Sequence, residues 1–335
     1  MSTSINVFIL GITGYVGGNV AARMIEKHPD WDVVALVRTS AQKDVVLSKW
    51  PKIRAVIGDL DNRDLLIQES SKADVILQLA SSDHVKGALA VVEGASLKKP
   101  EPGHVIHISG TGMLHEVPNG FGQPSDKVYH DIVDLAEVTS LPEEGHIHRG
   151  ADKAVLEAHK QFSVPTAIIC PPLIHGISKG PIRVNSIQIP MLTAAIVKRE
   201  RGFQVEKGEN FWDAIHVDDV SDAIILLAEE GLKPRGGNAQ WGDEGYYFAE
   251  AEEFQWGSIA VAVTKALYEE GALKSGNVDS ISIEDATQQH PYASILWGGN
   301  CRSRADRLHA LGWEAKAPNV LQSVPEMVAE SLKSM

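Results

Sequence analysis

The chain has 335 residues, 44% of them hydrophobic and 22% charged, a balance that argues against global disorder and supplies enough apolar side chain for a large core. A formal net charge of −13, with no block of Lys or Arg, argues against a nucleic-acid partner, because phosphate backbones are bound by clustered cations. The two cysteines, Cys170 and Cys301, make neither a disulfide framework nor a metal-ligand spacing, so reduced thiols and no metal site are expected.

The first predicted unit is a strand, a turn and a helix. Apolar residues from Val7 to Leu10 run into Gly11-x-x-Gly14-x-x-Gly17, and a helical period through Val16, Val20 and Met24 follows at once. Such a turn leaves backbone N–H groups open at the positive end of the helix, where a pyrophosphate can approach if no Cβ stands at Gly11 or Gly14. Gly17 lets the helix pack tightly on the strand. With these flanks the glycines read as a dinucleotide fingerprint, and Thr13, Tyr15 and Val16 of the same turn are candidate contacts.

Trp31 to Val37 reads as a buried parallel strand that ends at Arg38. An acidic residue there would bind an adenosine ribose, whereas an Arg pairs with a 2′-phosphate; Arg38, with Lys43 in support, favours NADP over NAD. A third strand, residues 53–57, runs into Gly58-Asp59-Leu60, where Asp59 and Leu60 are placed to meet the adenine, and a helix follows from Arg63 to Ser70. A fourth strand, residues 74–79, ends in Leu79-Ala80-Ser81, small residues past which a cofactor can lie, and residues 83–98 form a helix. The fifth strand, residues 104–108, ends in Ser109-Gly110-Thr111, and this alternation predicts a parallel sheet.

Residues 113–147 are polar and acidic and read as a long loop holding Tyr129; a helix from His148 to His159 and a strand at residues 165–169 follow. Beyond them lie Cys170-Pro171-Pro172-Leu173-Ile174-His175-Gly176, a helix around Met191 to Arg199, and Trp212 to His216 followed by a helix from Val217 to Glu230. Tyr246 to Phe248 is a short strand, Trp256 to Glu270 is a helix, and Arg304 to Trp313 closes the set of motifs.

Taken together, the glycine turn, Gly58-Asp59-Leu60, Ser109-Gly110-Thr111, Lys153, residues 170–176, residues 212–220 and the Leu311-Gly312-Trp313 end resemble the extended or atypical short-chain dehydrogenase/reductase superfamily, with its NAD-dependent epimerase/dehydratase-like and NmrA-like members. The resemblance implies an α/β, Rossmann-type doubly wound parallel sheet with a smaller mixed α/β substrate-binding lobe. Residues 1–176, with 216–250 returning, would form the dinucleotide-binding domain, and 177–215 with 251–335 the lobe. It also implies that Pro171, Leu173 and Ile174 line the cofactor site, that Lys153 binds ribose, and that Thr111 polarises a substrate oxygen.

The superfamily's acid–base tyrosine lies four residues before its lysine, and here that position holds Arg149. A guanidinium with a pKa above ~12 has no neutral form to act as a base at pH 7, so Arg149 is expected to hold substrate while Tyr129, His148 or Lys153 moves the proton. His175 and His216 are secondary candidates. The expected activity is that of an NADP(H)-binding oxidoreductase or epimerase-like enzyme acting on a small carbonyl or hydroxyl compound. The alternatives are a non-catalytic NADP(H)-sensing regulator and a cofactor-assisted isomerase or cyclase. With no signal-like N-terminus and no apolar run of bilayer length, a cytoplasmic protein with a small-molecule substrate and no membrane partner is expected.

Overall fold

The computed structural model describes residues 4–335. Its elements, in chain order, are β1 (Asn6–Leu10), α1 (Tyr15–Lys27), β2 (Asp32–Val37), α2 (Ser40–Lys49), β3 (Arg54–Ile57), α3 (Arg63–Ser70), β4 (Val75–Gln78), α4 (Val85–Ser96), β5 (His104–Ile108), β6 (Tyr129–His130), α5 (Leu135–Ser140), α6 (Arg149–Phe162) and β7 (Thr166–Cys170). There follow β8 (Leu173–His175), α7 (Gln188–Arg199), β9 (Gly202–Val205), β10 (Phe211–His216), α8 (Val217–Gly231), β11 (Tyr246–Phe248), β12 (Glu252–Gln255), α9 (Trp256–Glu269), β13 (Val278–Ile281), α10 (Ile283–Gln289), β14 (Ser303–Arg304), α11 (Asp306–Ala310) and α12 (Val320–Leu332).

Strands buried on both faces need near-continuous apolar runs, and β1, β4 and β7 have them. They lie inside a seven-stranded sheet of order β3-β2-β1-β4-β5-β7-β11 in which every pairing is parallel. Side chains of α1, α2 and α8 fill one face, through Val20, Met24, Val46 and Ile224. Those of α3, α4 and α6 fill the other, through Leu66, Val91 and Ala158. This is the parallel sheet that the alternation predicts, in the doubly wound Rossmann architecture that the resemblance implies.

The remaining strands form a three-stranded sheet β12-β10-β8 and the two pairs β13-β9 and β14-β6. A core of Phe203, Trp212, Trp256 and Trp297, joined by α7, α9 and α12, holds this lobe and continues into Tyr246 and Phe248 at the edge of the large sheet. Two segments lie elsewhere than the expected division puts them. Leu173–His175 pairs with β10 in the small sheet, and Ala305, Leu308 and Trp313 pack into the core beneath the large one. Residues 113–147 carry β6 and α5 and are tied down by Asp131, whose carboxylate accepts from the backbone N–H groups of Phe248 (3.0 Å) and Arg307 (3.1 Å).

Asp213 on β10 is fully buried, accepts from the Ser303 hydroxyl at 2.9 Å, and lies 3.5 Å from the Arg304 guanidinium. Burial outweighs these partners and pushes its carboxyl up to about 8 from the ordinary 3.8. Between those two values the folded chain binds the proton that the unfolded chain has released, so this group's stability contribution falls as pH rises from 3.8 toward about 8. Urea unfolding at pH 5 and pH 8 is expected to show Asp213→Asn gaining on the natural chain at the higher pH. A constant difference between the two proteins would remove Asp213 as the source.

Candidate functional site

A cleft of about 410 Å³ runs along the C-terminal ends of β1 to β4, lined by Gly11, Thr13, Gly14, Arg38, Gln42, Asp59, Leu60, Leu79 and Ala80. Its floor depends on backbone approach. Gly11 has φ +97°, and a Cβ there would lie 2.6 Å from the Leu79 carbonyl, while a Cβ on Gly17 would lie 2.2 Å from the Gly11 oxygen. Gly14 is the N-cap of α1 and offers no side-chain cap, so the first N–H groups of the helix are left open to an anion.

Arg38 is exposed at the exit of β2, and among the described residues its guanidinium makes no ion pair. Asp59 lines the cleft and accepts from the Asp61 N–H at 3.0 Å; the cap of α3 is Asn62. Gln42 takes the lining position on α2 in place of Lys43. The far wall is Ile182 and Arg183, a contribution not foreseen from the sequence. Their segment is stapled to α1: Tyr15 donates to the Gly176 carbonyl (2.7 Å), Ser178 to the Tyr15 carbonyl (2.8 Å), and the Arg183 N–H to the Thr13 carbonyl (3.3 Å). The signal was Lys179-Gly180-Pro181, since Gly180 lets that chain lie against Gly18.

Tyr15 therefore braces the wall instead of lining it, and Val16 is half-buried. Ser81 accepts from the Asp83 N–H at 3.2 Å and shapes the turn beyond Ala80. Pro171 is buried and accepts from the Thr111 N–H at 3.0 Å; Leu173 points into the lobe core and Ile174 is half-buried. Thr111 is fully buried, with the Cys301 thiol 3.2 Å from its hydroxyl. Cys170 and Cys301 are both free and buried.

The four residues expected to carry the chemistry are not brought together. Arg149 is 1% exposed; it donates to the carbonyls of Thr139 (2.6 Å) and Leu141 (3.3 Å) at the C-terminus of α5 and lies 3.6 Å from Asp152. Its guanidinium faces the interior, because the cation is matched there by a helix end and a carboxylate. Asp152 also accepts from the Tyr246 hydroxyl at 2.7 Å, and burial raises its carboxyl above the ordinary range. Tyr129 is half-buried in the β6–β14 pair with the Lys127 ammonium 4.4 Å from its ring centre, and burial first of all raises its phenol. Lys153 is exposed and pairs with Glu143 at 3.2 Å.

His148, by contrast, precedes α6 in the left-handed conformation at φ 71°, with its Nδ1 2.8 Å from Asp83 Oδ1. His175 is buried against the Ser323 hydroxyl at 3.0 Å, and His216 caps α8 by accepting from the Asp218 N–H.

Residues 11–154 match a protein-family model described as NAD(P)H-binding. The chain is 28% identical over 342 residues to the oxidase ucsJ of an Acremonium species, covering 98% of each chain. It is 25% identical over 241 residues to a dTDP-glucose 4,6-dehydratase of Mycobacterium tuberculosis, covering 67% of this chain and 69% of that one. Among solved structures, dTDP-glucose 4,6-dehydratase of Bacillus anthracis in complex with NAD superposes with a TM-score of 0.70 at 15% identity, covering 98% of this chain and 97% of that one. Vestitone reductase of alfalfa superposes with a TM-score of 0.64 at 18% identity, covering 98% of each chain. These superpositions show a shared Rossmann-type fold.

Replacing Arg149 by Leu removes the donor to two helix-end carbonyls and strands Asp152. A loss of about 3 kcal/mol in urea unfolding is expected, with little change in dinucleotide affinity, because the guanidinium does not line the cleft. A large affinity loss with intact stability would return Arg149 to the site.

Proposed function

We propose that the chain binds NADP(H) in this cleft and transfers hydride between the nicotinamide and a small carbonyl or hydroxyl compound. The observation that carries the reading is Arg38, exposed and without an ion pair among the described residues, on the same cleft as the glycine turn. A guanidinium at the exit of β2 meets the adenosine ribose edge, where a 2′-phosphate gives it a bidentate partner. The match to a NAD(P)H-binding family model and the similarity to an oxidase support the redox part.

In this reading the open N–H groups in the first turn of α1, just after Gly14, hold the pyrophosphate, Asp59 and Leu60 border the adenine, and Arg183 closes over the phosphates from the opposite wall. When bound, the dinucleotide supplies or accepts the hydride. Lys153 turns from Glu143 to the ribose at small cost, since an exposed pair of this kind is worth at most about 1 kcal/mol. The lobe around Trp212 and Trp297 contributes the substrate side.

A second reading, a non-catalytic NADP(H)-sensing regulator, draws on Arg149, which fills the expected tyrosine position with a buried cation. NADPH fluorescence titration followed by a panel of carbonyl and hydroxyl compounds separates the two; binding without turnover on the panel favours the regulator. Arg38→Ala is expected to weaken NADPH about tenfold and leave NADH unchanged, whereas Arg183→Ala weakens both alike. Equal losses on both cofactors for Arg38→Ala would overturn the NADP assignment.

A further inference from the structure

The order of the sheet fixes which end of the cleft meets the substrate. Arg38 and Asp59 stand at the exits of β2 and β3, and the glycine turn at the exit of β1; a dinucleotide laid from adenine to nicotinamide therefore continues toward the exits of β4 and β5. His148 bridges those two exits. Its Nδ1 is 2.8 Å from Oδ1 of Asp83, three residues beyond Ala80 of the cleft, and a Cβ on Gly110, two residues past β5, would lie 3.2 Å from its Nε2.

The ring is hydrogen-bonded at one edge and not at the other. Nδ1 is committed to the Asp83 carboxylate, whereas Nε2 has no hydrogen-bond partner among the described residues, and the side chain keeps 19% of its surface exposed. A His whose Nδ1–H is given to a carboxylate presents at Nε2 either a lone pair or a proton. The backbone that aims it sits at φ 71°, a region that favours Gly and Asn, so strain is held where the ring points.

Resting on the NADP(H) reading above, we propose that His148 gives and takes the proton at the substrate oxygen, with Asp83 as its positioning residue. In reduction, the carbonyl carbon accepts hydride from the reduced nicotinamide dinucleotide, the C=O π pair moves to oxygen, and that oxygen takes the proton from Nε2. The products are the hydroxyl compound, the oxidised dinucleotide and a neutral imidazole that solvent reprotonates. Oxidation runs the same path backwards.

The titratable groups facing His148 are Asp83 before α4, His107 on β5 and Asp152 on α6. Burial pushes His107 down to about 4 and raises Asp152, and of the three groups Asp83 is the one in hydrogen-bond contact with the ring.

His148→Asn keeps an amide within reach of Asp83 and suits the left-handed backbone but lacks Nε2; His148→Gly suits the backbone and opens the space. Both are expected to bind NADPH within about twofold of the natural chain while kcat for reduction falls about 100-fold or more, and added imidazole is expected to restore part of the rate to His148→Gly alone. Asp83→Asn is expected to lower kcat for reduction about tenfold with KM and NADPH affinity within about twofold, because the ring loses the carboxylate that orients it. Independently of turnover, diethyl pyrocarbonate is expected to label His148 in the free protein, with saturating NADP+ protecting it. Unchanged kcat/KM in His148→Asn, or labelling indifferent to NADP+, overturns the proposal. Failure of the natural chain to bind NADPH would instead overturn the reading on which it rests, and if no substrate is found the labelling result decides.

Discussion

Three stretches of backbone meet at Gly11 with no room for a side chain. The turn after β1 touches the exit of β4 at Leu79, and α1 presses on the turn through Gly17. A methyl group at Gly11 or Gly17 would collide with backbone atoms, which unlike side chains have nowhere to rotate. This contact sets where α1 begins, and so where its open N–H groups point. The cleft exists because the helix starts directly above the strand exits instead of beyond a longer loop.

The same economy of space repeats one residue later on α1. Gly18 meets Gly180, which brings the segment after β8 down onto the helix and gives the cleft its second wall. Asn19 then takes the Lys179 N–H at 2.9 Å and donates to Asp218 at 2.8 Å, so one buried amide joins α1, the wall and α8. A buried polar side chain with its donors and acceptor used fixes register more firmly than apolar packing does. Arg38 and Arg183 both line the cleft, whose walls come from distant parts of the chain.

The start of α6 divides two adjacent residues between two environments. Arg149 turns inward to the carbonyls closing α5, and His148, left-handed just before it, turns toward Asp83 at the exits of β4 and β5. Arg149 anchors the preceding segment, and the proposed proton transfer at this edge is assigned to its neighbour His148. The helix N-terminus is where that exchange is cheapest, because its first residue has not yet joined the helical backbone.

The sequence by itself determined the large sheet, the glycine turn and Arg38, because these depend on local order: apolar runs of strand length, glycines at fixed spacing, and a charged residue directly after a strand. It also placed Asp59, Leu60, Leu79 and Ala80 on the cleft, since a residue at the exit of a parallel strand lies at the sheet edge whatever else the chain does. Tertiary structure alone decided the direction of Arg149, the His148–Asp83 contact across 65 residues, the wall at Arg183 and the division of β8 from β7. Each turns on which face of an element meets another element distant in sequence, and burial, charge matching and backbone fit choose that face only once the whole core has closed.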